Sequence, residues 1–263
     1  NRKVVITALL ILIAISWLLR FPGGDWQIAN CDVGQGDSMV VNLGDHRAIV
    51  IDTGPDPIAE DRCLHQLGVK KIELLILTHV RAVHVGGVDG AIRDRTVVAQ
   101  WFGNVRAGTR ATFASDRGPV TVDVVWPQGQ WADDQISDPN NSSIAVVLRA
   151  PDFSLFAGGD MEPESQSLIA GIVGHVDIYK VCHHGSRFQD ESFTRALSPA
   201  ISVISVGAGN SYGHPAPETI QSLTRLGSRV LRTDLDGAIA IRANRHRFRI
   251  RTSKGSFALL RWN

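Results

Sequence analysis

Histidine and aspartate side chains, the usual protein ligands of divalent metals, recur along this chain at short spacings. The histidines lie in three segments, L-T-H-V-R-A-V-H-V-G-G (residues 77–87), C-H-H-G-S (182–186) and S-Y-G-H-P (211–215). Asp160 ends a fourth segment, A-G-G-D. Imidazole and carboxylate groups bind zinc or manganese, and such an ion promotes hydrolysis by polarising the bond to be cleaved. These residue types therefore indicate a candidate site for a divalent metal.

The overall composition is that of an ordinary packed globular protein. The chain of 263 residues is 44% hydrophobic and 20% charged, which is enough for a sizeable core. A formal net charge of +1 excludes a global attraction to nucleic acid, so any such role depends on a local basic patch. Cys31, Cys63 and Cys182 are far apart and form no C-x-x-C pair, so we expect buried thiols rather than a disulfide or a structural zinc site.

An uncharged apolar run occupies residues 4–19, with Arg2 and Lys3 before it and Arg20 after it. It is slightly shorter than the ~20 residues that cross a bilayer, but helix tilt and arginine side chains that reach the interface extend it. We predict a transmembrane helix. A signal peptide and a buried core helix are the alternatives, although bulky residues rather than a small-residue cleavage site follow the run.

The breaker cluster F-P-G-G after this run predicts a boundary between two parts of the chain. Residues 1–24 would be the transmembrane helix and linker, and residues 25–263 a single domain. Because Asn1 is not an initiator Met, we expect the apolar run to be the last span of a longer membrane protein. The basic residues before the run favour an extracytoplasmic domain.

Short strands open the domain, and strands alternate with helices in its second half. Strands at residues 26–33, 37–43 and 46–51 predict an antiparallel start, followed by a helix at 58–68 and a buried strand at 72–77. Later strands are predicted at residues 143–148, 153–156, 176–181, 201–206, 230–233, 238–242 and 247–251, and helices at 162–172, 191–197 and 217–226. This pattern predicts an α/β (α+β) fold with two sheets packed face to face and helices outside.

Polar clusters follow the ends of the predicted strands, where loops on a rigid scaffold collect functional groups. They read D-V-G-Q-G-D (32–37), I-D-T-G (51–54), T-H-V-R-A-V-H-V-G-G (78–87), D-P-N-N-S-S (138–143), A-G-G-D (157–160), C-H-H-G-S (182–186) and S-Y-G-H-P (211–215). In this order they resemble the metallo-β-lactamase-fold domain at the C-terminus of the ComEC family of competence proteins, which take up DNA across bacterial membranes. The resemblance implies an αββα four-layer sandwich, one or two divalent metals, and hydrolysis of phosphodiesters in the DNA strand that is not imported.

The first histidine loop departs from the pattern of that family. The family loop reads H-x-[H/D]-x-D-H, whereas the corresponding residues here are His79, Arg81, Val83 and His84. Arg81 places a fixed positive charge where a metal ligand is expected, and this charge opposes a nearby dication. Val83 removes a carboxylate and offers no donor atom. One metal ion is therefore compatible with the remaining ligands, and two are not expected.

The resemblance implies a role for each remaining polar residue. It assigns metal binding to His79, His84, Asp160, His184 and His214, with Asp160 and His84 as the catalytic residues. It assigns the orientation of ligands or contact with substrate to Asp32, Asp37, Asp52, Asn141, Ser142, His183 and Ser186. Which of His183 and His184 points at the site stays open. Five donors suffice for one zinc or manganese ion, which takes about four to six ligands including water, so we expect one divalent metal or none.

Several of these residues also have a purely structural interpretation. Asp52 is acceptable as a turn residue. Asp160 precedes Met-Glu-Pro and is acceptable as a helix N-cap. Asn141 and Ser142 either donate hydrogen bonds to a phosphate or cap the strand that follows.

A basic patch, R-A-N-R-H-R-F-R-I-R, covers residues 242–251 near the C-terminal end. Because alternate residues of a strand share a face, we expect Arg245, Arg247, Arg249 and Arg251 to line one side at ~7 Å intervals. These charges either protect an edge strand from aggregation or contact a phosphate backbone without sequence specificity.

Two functions of different classes stay open. One is a membrane-tethered hydrolase of DNA phosphodiesters, favoured by Asp160, His184 and His214. The other is a catalytically silent binding or structural module of a DNA-uptake assembly, favoured by Arg81 and Val83. A hydrolase of small molecules, such as a lactonase, is a third interpretation because the fold serves many substrates. The implied partners are DNA, expected to be single-stranded and bound with low sequence specificity, the cell membrane, and other parts of a competence membrane channel.

Overall fold

The structure is a computed structural model that describes residues 2, 5–9, 21–103, 105–129, 138–245, 247–255 and 257–261. Residues 5–9 are helical and exposed, and the remainder of the predicted transmembrane run lies outside the described residues. In the described part of the chain, no helix combines the length and apolarity that a membrane span requires.

Two mixed β-sheets form the centre of the domain. The first contains β1 (Ile28–Asn30), β2 (Met39–Gly44), β3 (Arg47–Ile51), β4 (Lys71–Ile76), β5 (Thr96–Val97), β6 (Gln100–Trp101), β14 (Ile239–Asn244), β15 (Arg247–Thr252) and β16 (Phe257–Arg261). The second contains β7 (Arg110–Phe113), β8 (Val120–Trp126), β9 (Ala145–Arg149), β10 (Ser154–Ala157), β11 (Ile178–Lys180), β12 (Ile201–Ile204) and β13 (Arg229–Arg232).

The strand order of each sheet explains how distant segments meet. The first sheet runs β16-β15-β14-β1-β2-β3-β4-β5, with β6 also paired to β4. The second runs β13-β12-β11-β10-β9-β8-β7, parallel from β10 to β13 and antiparallel from β7 to β10. Loops that follow β3 and β4 in one sheet therefore lie beside loops that follow β10 and β11 in the other.

Helices cover the outer faces of both sheets. They are α1 (Pro57–Gln66), α2 (Ala82–Val85), α3 (Val88–Ile92), α4 (Pro163–Val173), α5 (Glu191–Leu197), α6 (Pro217–Arg225) and α7 (Thr233–Asp236). Their starts follow from local chemistry: the carboxylate of Asp56 accepts from the N–H of Ile58 at the start of α1, and Asp190 accepts from Phe193 at the start of α5. Proline opens α1, α4 and α6, where its missing N–H costs nothing.

Three apolar cores divide the domain into four layers. Residues such as Ile49, Val146 and Ile241 fill the space between the sheets. Leu64 belongs to a second core between α1 and the first sheet, and Phe193 to a third between the second sheet and its helices. The predicted αββα sandwich is therefore confirmed.

Two cysteines expected to be thiols are disulfide-bonded. Cys31, just after β1, is bonded to Cys63 in α1, with a Cα–Cα distance of 5.9 Å. The prediction was wrong because sequence spacing does not reveal that α1 packs on the face of the sheet that carries Cys31. Cys182 is a buried free thiol, as predicted.

The predicted arginine face is correct except at one end. Arg245 lies in the turn between β14 and β15 with a φ of 38°, so it does not share the face of the strand. The strand begins at Arg247, and the apolar Phe248 and Ile250 point into the core between the sheets as expected.

Candidate metal centre

The candidate metal-binding side chains meet at one end of the sandwich. Asp52 and His79 follow β3 and β4 of the first sheet, and Asp160 and His184 follow β10 and β11 of the second. His84 lies in α2, the short helix after β4. Side chains from four chain segments thus reach one place because adjacent strands end there.

Close backbone contacts fix the loops that carry these residues. A Cβ atom at Gly36 would lie 2.2 Å from the carbonyl oxygen of Val83, so only glycine permits this approach. The backbone N–H of Asp37 donates to that same carbonyl at 3.2 Å, and the N–H of Thr53 donates to the carbonyl of His84 at 2.8 Å. The conformation of the histidine loop therefore depends on the D-V-G-Q-G-D and I-D-T-G loops.

Three imidazole nitrogens converge on the carboxylate of Asp160. Its Oδ1 lies 3.1 Å from Nε2 of His84 and 3.5 Å from Nε2 of His184, and its Oδ2 lies 3.6 Å from Nε2 of His79. All four side chains are buried. None of these Nε2 atoms, nor Oδ1, makes a hydrogen bond within the described residues.

Such buried, unpartnered atoms carry a desolvation cost unless something else satisfies them. Three nitrogen donors and one carboxylate match the usual ligand set of zinc, and of manganese with added water. The residues present therefore fit one divalent ion. Within the described residues, His79, His84 and Asp160 form one cluster whose ligand atoms lie within 4.8 Å of one another, and Asp37, Asp160 and His184 form another.

The other ring nitrogen of each histidine is held by a neighbour. Nδ1 of His84 lies 2.7 Å from Oδ2 of Asp52. Nδ1 of His79 lies 3.1 Å from Oγ1 of Thr78, and Nδ1 of His184 lies 3.0 Å from the carbonyl oxygen of Ser205. A donated hydrogen bond at Nδ1 fixes the ring orientation and leaves the Nε2 lone pair free for a metal. The contact between Asp52 and His84 is the one on which the predicted orienting role of Asp52 depends.

The charges at the cluster shift the pKa values of its members. Burial alone lowers the pKa of His84, but the carboxylates of Asp160 and Asp52 outweigh burial and hold this pKa well above its ordinary value. Burial and the adjacent His84 hold the pKa of His79 well below its ordinary value. Burial raises the pKa of Asp160, but the adjacent His84 and His184 outweigh it and keep this carboxyl ionised.

Lys180 is a buried cation that the sequence prediction missed. Its Nζ lies 2.7 Å from Oδ1 of Asp37 and donates to the carbonyl of Val181 at 3.1 Å. Burial raises the pKa of Asp37, but Lys180 and His184 outweigh it and lower this pKa. A lysine inside the predicted strand at residues 176–181 was the signal available in the sequence.

His183 and His214 lie at the rim of the cluster rather than within it. Nε2 of His183 is 3.9 Å from Oδ2 of Asp160, and its Nδ1 is 3.0 Å from Oε1 of Glu162. The ring centroid of His214 is 5.4 Å from that of His183, and both residues are half-buried. Of the neighbours His183 and His184, the latter points its ring into the cluster.

The backbone at the histidine pair adopts a conformation that residues with side chains rarely take. His183 has a φ of 48° and His184 a φ of 51°, and Asp52 has a φ of 59°. Each such residue costs on the order of 1–3 kcal/mol and persists only where its surroundings hold it. Strained residues of this kind cluster at functional sites, so their presence in two loops of the candidate centre supports its assignment.

The other predicted site residues lie outside the cluster. Asp32 is exposed. Oδ1 of Asn141 accepts from the N–H of Glu162 at 3.0 Å, which supports the start of α4. Ser142 donates to the carbonyl of Asp138 at 2.8 Å, and the hydroxyl of Ser186 accepts from the N–H of Phe188. Asp160 is not the N-cap of α4, because Glu162 occupies that position.

A pocket of about 390 Å³ opens over the cluster. Its wall consists of Gln35, Arg81, Ala82, Val83, Asn140, Asp160, His183, His184, Tyr212 and His214. Arg81 is exposed and Val83 half-buried, so both departures from the family pattern line the space in which a substrate would lie.

Comparison with known proteins gives a family match and three curated relatives. Residues 31–165 match the family model of the metallo-beta-lactamase superfamily. The chain is 29% identical over 80% of its length to ComE operon protein 3 of Bacillus subtilis and 27% identical over 83% to competence protein ComA of Neisseria gonorrhoeae. It is 27% identical over 89% to recombination protein 2 of Haemophilus influenzae.

The chain spans about a third of the length of these relatives, with 32%, 32% and 31% of them covered. Among solved structures, a Zn(2+)-bound PqqB from Methylobacterium extorquens is 13% identical to this chain, with a TM-score of 0.43. The match covers 75% of this chain and 85% of that protein, and its similarity is too low to bear on the site. The relatives confirm the resemblance to ComEC-type competence proteins. The family match, which covers half of the chain, shows that this chain belongs to the metallo-beta-lactamase superfamily.

Proposed function

We propose that this domain is a metal-dependent hydrolase of a competence protein and that it acts on DNA phosphodiesters with one divalent ion, zinc or manganese. The observation that carries the proposal is the convergence of three unpartnered Nε2 atoms on the buried Asp160 carboxylate. A cluster of this kind has no advantage for folding, because buried polar groups without partners destabilise a protein. Binding a cation explains it.

The residues of the chain have distinct parts in this function. His79, His84, His184 and Asp160 hold the ion, and Asp52 keeps the His84 ring in the orientation that ligation requires. The bound ion would supply a Lewis acid and a nucleophilic water at neutral pH. The pocket above the cluster accepts the scissile phosphate. Asp160 and His84, the two residues in closest contact within the cluster, are the catalytic residues of the proposal.

Contact with DNA outside the pocket is assigned to the outer side of β14, β15 and β16. This surface, the basic face, carries Arg242, Arg247, Arg249, Arg251 and Arg261. Arg242 lies directly opposite Arg249 in the strand register, and Arg247 lies opposite Arg261. Like charges directly opposite each other are unfavourable in a sheet. Asp25 contacts Arg242 and Arg249, and a bound polyanion would offset the remaining repulsion.

The basic face also carries an exposed aromatic ring. Phe257 is 54% exposed, and the guanidinium of Arg251 lies 5.9 Å from its ring centroid. Basic side chains beside an exposed ring are typical of surfaces that bind single-stranded nucleic acid, because the bases stack on the ring. The expected binding has low sequence specificity and weakens with salt.

The same proposal includes a membrane tether at residues 1–24, an extracytoplasmic domain at residues 25–263, and contact with other parts of a competence channel. The disulfide between Cys31 and Cys63 supports the extracytoplasmic side, because disulfides persist in oxidising compartments and are rare in the cytosol. An apolar run before the domain supports the tether.

The proposal is tested with the full chain, purified in detergent, stripped of metal and reconstituted with zinc or manganese. Elemental analysis should give one equivalent of metal, and labelled single-stranded or duplex DNA should be cleaved. His79→Ala should abolish metal binding and DNA cleavage. His65→Ala, at an exposed histidine of α1, should change neither metal content nor cleavage. Failure of the wild-type chain to retain either metal contradicts the proposal.

A silent binding module is the second candidate, favoured by the presence of Arg81 and Val83 in the histidine loop. It predicts that the chain binds one metal and DNA but cleaves no DNA with either ion. Cleavage by the wild-type chain that is lost in His79→Ala excludes this candidate.

A further inference from the structure

Arg81 lies in the pocket wall, at a position where the resemblance to competence proteins implies a metal ligand. Its backbone precedes α2, so its side chain leaves the same loop that carries His79 and His84. A second divalent ion beside this guanidinium is disfavoured by charge repulsion, and Val83 offers it no ligand. The pocket nevertheless has a permanent positive charge at this point.

The guanidinium of Arg81 is oriented by a chain of polar contacts. Its Nε donates to Oδ1 of Asn140 at 3.0 Å, and Nδ2 of Asn140 donates to Oε1 of Glu162 at 3.1 Å. The same Oε1 lies 3.0 Å from Nδ1 of His183. Within the described residues, the two terminal nitrogens of Arg81 make no hydrogen bond, so their N–H groups are available to a ligand.

Holding a long side chain in one orientation costs conformational entropy, and a solvated surface arginine needs no such contacts. A planar guanidinium with free N–H groups is suited to two oxygens of a carboxylate or phosphate. The pocket also contains Asp160, whose negative charge a bound cation would neutralise before an anion enters. Contact with an oxyanion therefore explains the position and the orientation of Arg81.

We propose that Arg81, positioned by Asn140 and Glu162, forms an oxyanion subsite that binds non-bridging oxygens of a phosphate group in place of a second metal ion. This inference rests on the proposed function in one respect, since it takes a phosphate group as the ligand. It makes the centre a site with one metal and one arginine. Phosphate binding at this subsite does not require that hydrolysis follows.

The test measures binding of inorganic phosphate to the metal-loaded full chain by calorimetry. Arg81→Gln should weaken phosphate binding about tenfold or more, because a hydrogen bond to a charged group contributes about 1.5–3 kcal/mol. The phosphate affinity of Arg81→Lys should lie between those of the wild type and Arg81→Gln, because lysine keeps the positive charge but lacks the planar guanidinium. Arg62→Gln, at an exposed arginine of α1, is the matched control and should bind phosphate as the wild type does.

Metal content provides a second readout that does not depend on activity. Arg81→Gln should retain one equivalent of metal, and Arg81→His combined with Val83→Asp should raise the content from one equivalent to two. Unchanged phosphate affinity in Arg81→Gln, or no phosphate binding by the wild type, overturns the subsite. If the double variant folds but still holds one equivalent of metal, Arg81 does not stand in place of a second metal ion.

The outcomes separate this inference from the proposed function. A wild-type chain that binds metal and cleaves DNA, with Arg81→Gln indistinguishable from it in phosphate affinity, refutes the subsite alone. A chain that binds phosphate through Arg81 without cleaving DNA supports the subsite and refutes the hydrolase.

Discussion

The ammonium group of Lys180 lies 2.7 Å from Oδ1 of Asp37, and both side chains are buried beside the candidate metal centre. Oδ1 of Asp37 in turn lies 3.1 Å from Nδ1 of His184, so the pair connects Lys180, at the end of β11, to a candidate metal-binding residue. A buried ion pair of this kind does not stabilise a fold by itself, but loss of one partner leaves a charge uncompensated. Lys180 thus allows Asp37 to stay ionised next to the cluster.

Lys180→Met should therefore destabilise the domain strongly. Removing one partner of a buried pair costs roughly 3–5 kcal/mol in the free energy of unfolding, which denaturant titration measures. Lys180→Met combined with Asp37→Asn should recover part of this loss, because no charge then stays buried without a partner. A single variant as stable as the wild type would show that the pair is not important for the fold.

Asp52→Asn should weaken metal binding while leaving all four proposed ligands in place. Loss of a carboxylate partner of a ligating histidine typically lowers metal affinity about 10–100-fold, because the ring is less well oriented and less basic. Competition with a chelator measures the affinity. Asp32→Asn is the matched control, since Asp32 is exposed and should not affect the metal. Equal affinities of the two variants would contradict the role assigned to Asp52.

Much of the fold was predictable because its signals are local. Apolar runs of strand length located β4, β9 and β12, and the spacing of Ile58, Leu64 and Leu67 before Gly68 located α1. The strand β8, V-T-V-D-V-V-W, alternates between buried and half-buried residues and was missed, whereas the region from β5 to β7 gave no comparable signal. Two of its strands have only two residues, and the outer face of β7 is exposed, so neither length nor burial leaves a clear pattern.

The candidate site was predictable because polar clusters follow strand ends and because the order of these clusters resembles a known family, which together assigned His79, His84, Asp160 and His184 to one site. Contacts between distant segments were not predictable from spacing. The pairing of Lys180 with Asp37 depends on how the two sheets face each other. The partners of Nδ1 in His79 and His184 are a hydroxyl and a backbone carbonyl, which carry no distinctive sequence signal.

Reduction of the disulfide between Cys31 and Cys63 should lower the stability of the domain. The two residues are separated by 32 positions. Cross-linking a loop of this length removes chain entropy from the unfolded state that corresponds to about 4 kcal/mol. Denaturant titration with and without a reductant measures the effect. The variant with both Cys31→Ser and Cys63→Ser should match the reduced wild type and show no response to reductant. If a reductant lowered the stability of this variant by a similar amount, the loss of stability would not come from the disulfide.

Glu60 should make the stability of the domain decrease as pH rises. This carboxyl in α1 is buried, and neither of its oxygens has a hydrogen-bond partner within the described residues. Burial raises its pKa from 4.5 to about 8. Between these two pH values the folded state binds more protons than the unfolded state, so the free energy of unfolding falls as pH increases through this range.

Glu60→Gln removes this titration, so the variant should gain stability over the wild type between pH 5 and pH 9. At about 1.4 kcal/mol for each pKa unit, the gain is at most about 5 kcal/mol. Glu164→Gln is a matched control, because Glu164 also lies in the first turn of a helix but is exposed. Chemical unfolding of the wild type and both variants across this pH range measures the difference. If the free energies of unfolding of Glu60→Gln and the wild type differ by the same amount at all pH values in this range, Glu60 is ionised in the folded protein throughout. Burial would then not raise its pKa.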